Sequence, residues 1–155
     1  MQIRPLVDAD RTWLGREIER EWHLPVVSPA AVYDAPEDLT GLVAEDGGTR
    51  VGAVTYSVVE GAWEVVTLQA LRPRVGVGRA LMEAVRERAV DEGATRVWLI
   101  TTDDNPGGLA FYAAIGMARV RDLPRFSDHV ASIKPFASDA PAYDAVELEW
   151  DLTTR

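Results

Sequence analysis

Arg74-Val75-Gly76-Val77-Gly78-Arg79 stands between two segments of different hydrophobic period. Residues 62–71 before it are rich in valine and threonine, which is typical of a β-strand. After it, apolar residues recur at helical spacing as far as Ala89. A glycine-rich turn that opens a helix is an anion site, because free N–H groups converge there and the helix dipole adds partial positive charge. We therefore expect a phosphate-bearing ligand at this turn.

Two well-known phosphate motifs do not fit the turn. A Walker A loop requires a lysine after its last glycine, and no lysine stands here. A dinucleotide-binding fingerprint requires a third glycine where Leu81 stands. Gly76 and Gly78 would let a phosphate approach the backbone, and Arg74 and Arg79 can add charge-assisted hydrogen bonds. Taken alone, the turn is equally compatible with a packing role.

The elements on either side of the turn alternate between strand and helix patterns. The order is β-α, then a three-stranded meander, and then, counted from the last strand of that meander, β-α-β-α-β-β. This order predicts an α/β domain with a mixed sheet and helices on its faces. We expect loops at residues 23–39 and 124–143, the first with a short helical turn at most. The predicted strands are Ile3–Val7, Leu42–Glu45, Arg50–Glu60, Ala62–Leu71, Arg96–Thr101, Met117–Arg121 and Val146–Leu152, and the predicted helices are Arg11–Trp22 (capped by Asp8 or Asp10), Val77–Ala89 and Leu109–Ile115.

Composition excludes several classes of function. The chain has 155 residues, which suits a single domain spanning residues 1–155, and it has no cysteine for a nucleophile or a thiolate metal site. His23 and His129 are far apart, so we expect no metal site. A net charge of −9 argues against nucleic acid as a partner. Because no apolar run reaches the ~18 residues of a spanning helix, we expect a soluble cytoplasmic protein without membrane contact.

A second motif follows the turn and gives both a family resemblance. Gly76–Met82 resembles the acetyl-CoA pyrophosphate loop of the GCN5-related N-acetyltransferase (GNAT) superfamily. Trp98–Thr102 resembles its fifth strand, and Asn105 with Phe111–Met117 resembles its Asn…Phe-Tyr-x-x-x-Gly-Phe signature. The resemblance covers residues 40–121 well and both ends loosely. It implies a mixed, mainly antiparallel sheet of about six or seven strands flanked by about four helices.

The resemblance also implies an activity: direct transfer of an acetyl group from acetyl-CoA to a primary amine. Tyr112 is similar to the family's general acid, although it could also be a core residue. The sequence departs from the family at Pro73, which lacks an N–H, at Gly108, where alanine is common, and at Met117, which replaces phenylalanine. The residues that would hold acetyl-CoA are Leu68, Gln69, Ala70, Arg74, Val75, Gly76, Val77, Gly78, Arg79 and Asn105.

The general base and the acceptor are less defined. Glu64 is our first candidate for the base, Glu60 is weaker, and water is an alternative; Glu64 is equally compatible with a solvated strand carboxylate. We expect Glu147 and its neighbours in the last strand to be solvated. Small amines, polyamines, aminoglycosides, amino acids and protein N-termini remain open as acceptors, and a homodimer is compatible with the sequence. The rival interpretation is a catalytically weak acyl-CoA-binding regulatory domain.

Overall fold

A computed structural model describes residues 1–21, 24–72, 75–135 and 141–153 of the chain. Seven strands form one sheet in the order β1-β4-β5-β6-β7-β9-β8, and β2 and β3 form a separate hairpin. The pairs are antiparallel except for β6 with β7. The strands are β1 (Gln2–Pro5), β2 (Val26–Val27), β3 (Val32–Tyr33), β4 (Thr40–Asp46), β5 (Thr49–Val59), β6 (Ala62–Ala70), β7 (Arg96–Thr102), β8 (Ala118–Leu123) and β9 (Ala145–Asp151), and the helices are α1 (Asp8–Glu21), α2 (Val77–Asp91), α3 (Pro106–Ala114) and α4 (Phe126–Ile133), with a 3-10 turn at Pro36–Asp38.

The predicted α/β fold with a mainly antiparallel sheet is therefore confirmed. The meander of β4, β5 and β6 forms as predicted, and Gly93 ends α2 with a φ of +74°. The helix after the glycine turn packs its apolar side on the sheet. The fully buried residues of that side are Leu81, Met82, Val85 and Ala89.

Gly52 of β5 lies beneath the first turn of α2. A Cβ at this position would lie 2.6 Å from the carbonyl oxygen of Gln69 and 2.6 Å from Cγ1 of Val77. Only glycine fits between β6 and the first turn of α2 without moving backbone atoms. Gly52 thereby fixes the start of α2 against the sheet.

The other face of the sheet carries α1. Leu14 and Ile18 pack there on Val43 and Ala53. Asp10 is fully buried at the start of this helix, where its carboxylate accepts hydrogen bonds from the guanidinium groups of Arg4 and Arg50 and from the Val7 N–H. These three donors hold the pKa of Asp10 well below its usual range, with Arg4 contributing most.

Four predictions about local structure are wrong. Helix α1 begins at Asp8 rather than Arg11, so Asp10 lies inside the first turn. The first predicted loop contains the hairpin of β2 and β3. The second contains α4, whose buried residues Phe126 and Val130 lie one turn apart. Glu147 is buried rather than solvated, because Arg96 and Arg121 both bind its carboxylate.

Across the described ranges, each helix is too short or too polar to cross a membrane.

Candidate active site

A cleft opens in the middle of the sheet between β6 and β7. The two strands pair only over residues 62–64 and 96–98, and beyond Glu64 and Trp98 they separate. A bulge in β6 marks the point of separation, because Val66 has no counterpart in β5 between the pairs Tyr56–Val65 and Thr55–Thr67. An extra residue of this kind bends a strand and increases its twist. The bulge therefore accounts for the separation of the two strands.

Backbone groups of β6 line this cleft. The Leu71 N–H donates to the Val51 carbonyl of β5 at 2.9 Å. Peptide groups alternate sides along a strand, so the backbone of Gln69 also faces β5, whereas Leu68 and Ala70 face the cleft. The buried Gln69 side chain lies on the α1 side of the sheet, since Gln69 pairs with Ala53. Of the three predicted contacts in β6, Leu68 and Ala70 have the geometry for backbone pairing with a ligand.

The glycine turn lies at the end of β6 and the start of α2. Gly76 is the N-cap of α2 and has a φ of +82°, a left-handed conformation that favours glycine. A Cβ there would meet no atom within 4 Å, so the space outside the turn is open. Val75 is exposed at the surface of the turn. The N–H groups of Val77, Gly78 and Arg79 belong to the first helical turn, which leaves them without partners within the helix.

The remaining residues of the turn differ in their roles. Gly78 faces the ring of Phe111, since a Cβ at this position would lie 3.3 Å from the ring carbon Cζ. Packing against this ring is therefore one reason for a glycine at position 78. Arg79 is exposed and donates to Glu83 at 3.0 Å. Arg74 and Pro73 lie outside the described residues.

Helix α3 brings two predicted residues to the cleft. The Asn105 side chain caps this helix by accepting a hydrogen bond from the Gly108 N–H at 3.2 Å. Tyr112 lies two turns further along, and burial raises its pKa to about 12. Tyr112 therefore carries its proton throughout the physiological pH range, as a general acid must.

One cavity of about 250 Å³ joins the cleft to the opposite face of the sheet. We call it the central cavity. Its walls include residues 64–68 of β6, residues 99–102 of β7, Asn105 and Tyr112. On the α1 side the same cavity is lined by Glu21, by residues 26–28 of the hairpin, by Phe126 and Val130 of α4, and by Lys134 and Tyr143. The cleft and Glu64 thus open into the same space.

Glu64 lies on the α1 side of the central cavity and is 4% exposed. The Tyr33 hydroxyl donates a hydrogen bond to its Oε1 at 2.5 Å. Burial raises the pKa of Glu64, hydrogen bonds from Tyr33 and Ser28 oppose that rise, and the charge of Glu147 adds to it. Glu64 is therefore buried, which excludes the alternative that it is a solvated strand carboxylate.

The hydrogen bond between Tyr33 and Glu64 is a feature of the site that the sequence did not reveal. Tyr33 lies on β3, and its hydroxyl reaches Glu64 across the face of the sheet. Burial, together with the hydrogen bond and charge of Glu64, raises the pKa of Tyr33 to about 12, so it remains a donor. Glu60 lies instead in the exposed turn between β5 and β6 and does not line the central cavity. Within the described residues, no group of three His, Asp or Glu side chains could hold a metal ion.

Comparisons with known proteins agree with this architecture. Residues 9–117 match the Acetyltransferase (GNAT) family, so the chain belongs to that family. It is 30% identical over 137 residues to the uncharacterized protein YxbD of Bacillus subtilis (strain 168), an alignment that covers 87% of this chain and 86% of YxbD.

Solved structures show the same fold. The ribosomal-protein-S18-alanine N-acetyltransferase from Escherichia coli superposes with a TM-score of 0.76 at 16% identity, covering 99% of this chain and 95% of that one. Arabidopsis thaliana NAA60 in complex with acetyl-CoA superposes with a TM-score of 0.72 at 15% identity, covering 97% and 98%. A protein with the same fold has thus been solved with acetyl-CoA bound.

Proposed function

We propose that the protein is an N-acetyltransferase that moves an acetyl group from acetyl-CoA directly to a primary amine. The observation that carries the proposal is the central cavity, which is lined by the splayed strands, by Tyr112 and by Glu64. A donor held in the cleft and an amine entering from the α1 side would meet between these two side chains. Direct transfer is favoured because the chain has no cysteine to carry the acetyl group.

Two sets of backbone groups would position acetyl-CoA. The free N–H groups at the start of α2 suit the pyrophosphate, and the open space outside Gly76 leaves room for it. Leu68 and Ala70 offer their peptide groups to the pantetheine arm, as an additional strand would use them. The Leu68 N–H is also our candidate donor to the oxyanion, a contribution that is typically worth about 3–4 kcal/mol.

Glu64 is the proposed general base. The acceptor arrives as an ammonium ion and must lose a proton before its nitrogen can attack the thioester carbonyl. A carboxylate whose pKa is raised by burial holds that proton more readily than an exposed one, and Tyr33 keeps its Oε1 in place. The alternative, removal of the proton by water, predicts little loss of rate in Glu64→Gln.

Tyr112 is the proposed general acid. The C–N bond forms as the C–S bond breaks, and the CoA sulfur leaves as a thiolate that requires a proton. Tyr112 lines the cleft side of the central cavity and keeps its proton at neutral pH. Turnover at the full rate in Tyr112→Phe would contradict this role.

The acceptor is a small-molecule amine or an amine on a protein. Glu21 and Glu64 give the cavity carboxylates that attract an ammonium group. The name of the E. coli structural relative specifies an alanine of a ribosomal protein, which favours testing peptide N-termini alongside small amines. We further propose that residues 1–155 act as one domain in the cytoplasm, alone or as a homodimer, without contact with nucleic acid or membrane.

Acetyl-CoA titration followed by an acceptor screen tests the proposal. Calorimetry and thermal melting report binding, and thiol release reports turnover with amines, polyamines, aminoglycosides, amino acids and peptides. We expect acetyl-CoA to bind, to raise the melting temperature and to release CoA with at least one acceptor class. Binding without thiol release across the panel would favour the acyl-CoA-binding regulatory domain instead. Failure of acetyl-CoA to bind would contradict both.

A further inference from the structure

Lys134 is the single lysine among the 16 lysine and arginine residues of the chain. It follows α4 directly and is only 8% exposed, although lysine side chains are rarely buried in proteins. At an exposed position either lysine or arginine would serve, and the rest of these 16 residues are arginines. The one departure from arginine therefore falls at a buried position, where lysine and arginine differ most in chemistry.

Lys134 lines the central cavity together with Tyr112 and Leu68. The flexible four-carbon side chain of a lysine can sweep several ångströms within such a space. Burial lowers the pKa of Lys134, which increases the fraction of neutral amine. A neutral amine in contact with the acyl-transfer cavity is itself a nucleophile.

If the residue at position 134 served to bind an anionic group of the acceptor, arginine would be the better choice. Arginine presents a rigid fork that matches a carboxylate, and the chain uses arginine to bind Glu147 through Arg96 and Arg121. An arginine, however, cannot lose its proton and cannot accept an acetyl group under these conditions. A lysine at position 134 can lose its proton and act as a nucleophile, which an arginine cannot do.

We propose that Lys134 is an internal acetyl acceptor, which takes the acetyl group from acetyl-CoA when no external amine occupies the central cavity. This inference rests on the proposed function. The neutral Nζ attacks the thioester carbonyl, the N–C bond forms, and the C–S bond breaks. The proton lost by the nitrogen ends on the sulfur, so the products are Nζ-acetyl-lysine and CoA.

The modification has a direct consequence for the site. Lys134 is not without a partner in this structure. Acetylation converts the amine into an acetamide, which can no longer carry a charge, and it adds an acetyl group to a cavity of only about 250 Å³. The modified side chain would thus occupy space that an external amine needs, and an external amine would in turn protect Lys134.

Mass spectrometry of the full chain incubated with acetyl-CoA alone tests the inference. Trypsin cleaves after Arg125, while the Lys134–Pro135 bond resists it, so one peptide of residues 126–155 carries Lys134. The amino group of Met1, a residue that is 60% exposed, lies on a different peptide and serves as an internal reference for uncatalysed acetylation. The starting protein must show no acetyl group by intact mass.

We expect one acetyl group on the peptide of residues 126–155, at a rate that saturates with acetyl-CoA and exceeds labelling of Met1 at least tenfold. Lys134→Arg, in samples where calorimetry shows that acetyl-CoA is bound, should show no acetyl group on this peptide. Unfolding the protein in urea should abolish the preference for Lys134 over Met1.

Two failures are distinguishable. If calorimetry shows acetyl-CoA binding but Lys134 stays unmodified, or is labelled no faster than Met1, the inference is wrong and the proposed function is unaffected. If acetyl-CoA does not bind, the proposed function itself is contradicted.

Discussion

Replacing Tyr33 by phenylalanine removes the hydrogen bond that the hydroxyl donates to Oε1 of Glu64 at 2.5 Å. The ionised form of Glu64 loses a donor, while the burial that disfavours its charge remains. A hydrogen bond to a charged group is worth about 1.5–3 kcal/mol, and one pKa unit corresponds to about 1.4 kcal/mol. The pKa of Glu64 should therefore rise by about 1–2 units in Tyr33→Phe.

The sign of the kinetic effect follows from the role of Glu64. A general base works in its deprotonated form, so raising its pKa moves the acidic limb of the kcat/KM profile to higher pH by about 1–2 units. Two assays report this shift: an NMR titration of the Glu64 carboxyl carbon, which needs no acceptor, and the pH dependence of thiol release with an acceptor found in the panel.

The matched control is Tyr143→Phe, because Tyr143 also lines the central cavity and is half-buried. It should leave the Glu64 titration within a few tenths of a unit of the wild type. An acidic limb that stays in place, or moves to lower pH, in Tyr33→Phe would refute the assignment of Glu64 as a base held by Tyr33.

Three further substitutions give separate tests. Glu64→Gln should lower kcat/KM by ~10²–10⁴. It should also raise the melting temperature at neutral pH, because burial of the ionised carboxylate, whose pKa is raised, destabilises the folded wild-type protein. This gain in melting temperature should shrink as the pH falls and the wild-type carboxyl becomes protonated in both states. Gly108→Ala should weaken acetyl-CoA binding in calorimetry and cost about 1 kcal/mol of stability, since its Cβ would lie 2.6 Å from Nδ2 of Asn105 and disturb the cap. Asp10→Asn should lower the free energy of unfolding by about 3 kcal/mol in urea without changing acetyl-CoA affinity. The loss should narrow below about pH 4, because the carboxyl of the unfolded wild-type chain takes up a proton there while the folded carboxylate, whose pKa is lowered, stays ionised.

Each of these tests has a clear contrary result. A Glu64→Gln variant with wild-type turnover would assign proton removal to water. If Gly108→Ala bound acetyl-CoA with wild-type affinity, the proposal that Asn105 contributes to binding would be contradicted. A pH-independent stability difference in Asp10→Asn would contradict the depressed pKa of that carboxyl.

The sequence was sufficient for the elements with a strong hydrophobic period. Helix α2 and the meander of β4 to β6 were predicted within a few residues, because their apolar residues repeat at spacings that only one element type satisfies. The family resemblance led to several residues, such as Asn105 and Tyr112, that line the cleft. Its physical cause, the unpaired Val66, depends on the register between two strands and has no signal in the sequence of either strand.

The features that were missed are short or depend on distant contacts. Strands β2 and β3 have two residues each, too few to show a period. Helix α4 has a signal that could have revealed it, because Phe126, Val130 and Ile133 recur at helical spacing after Pro124.

Contacts between residues that are far apart in the sequence could not be predicted either. Tyr33 and Glu64 are 31 residues apart, and Glu147 is 51 residues from Arg96. Alternation alone assigned Glu147 to a solvated face, since the two arginines that bury it lie on other strands. The partner of a buried charge is fixed by the topology of the sheet, which local pattern does not encode.

The measurement that bears most directly on the central claim is an amide NMR titration of the protein with acetyl-CoA. We predict the largest shifts at Gly76, Val77 and Gly78, where the pyrophosphate would meet the helix N-terminus, and at Leu68 and Ala70 in the cleft. Shifts confined to other regions, or no shifts at saturating acetyl-CoA, would contradict the assignment of the cleft between β6 and β7 as the acetyl-CoA site.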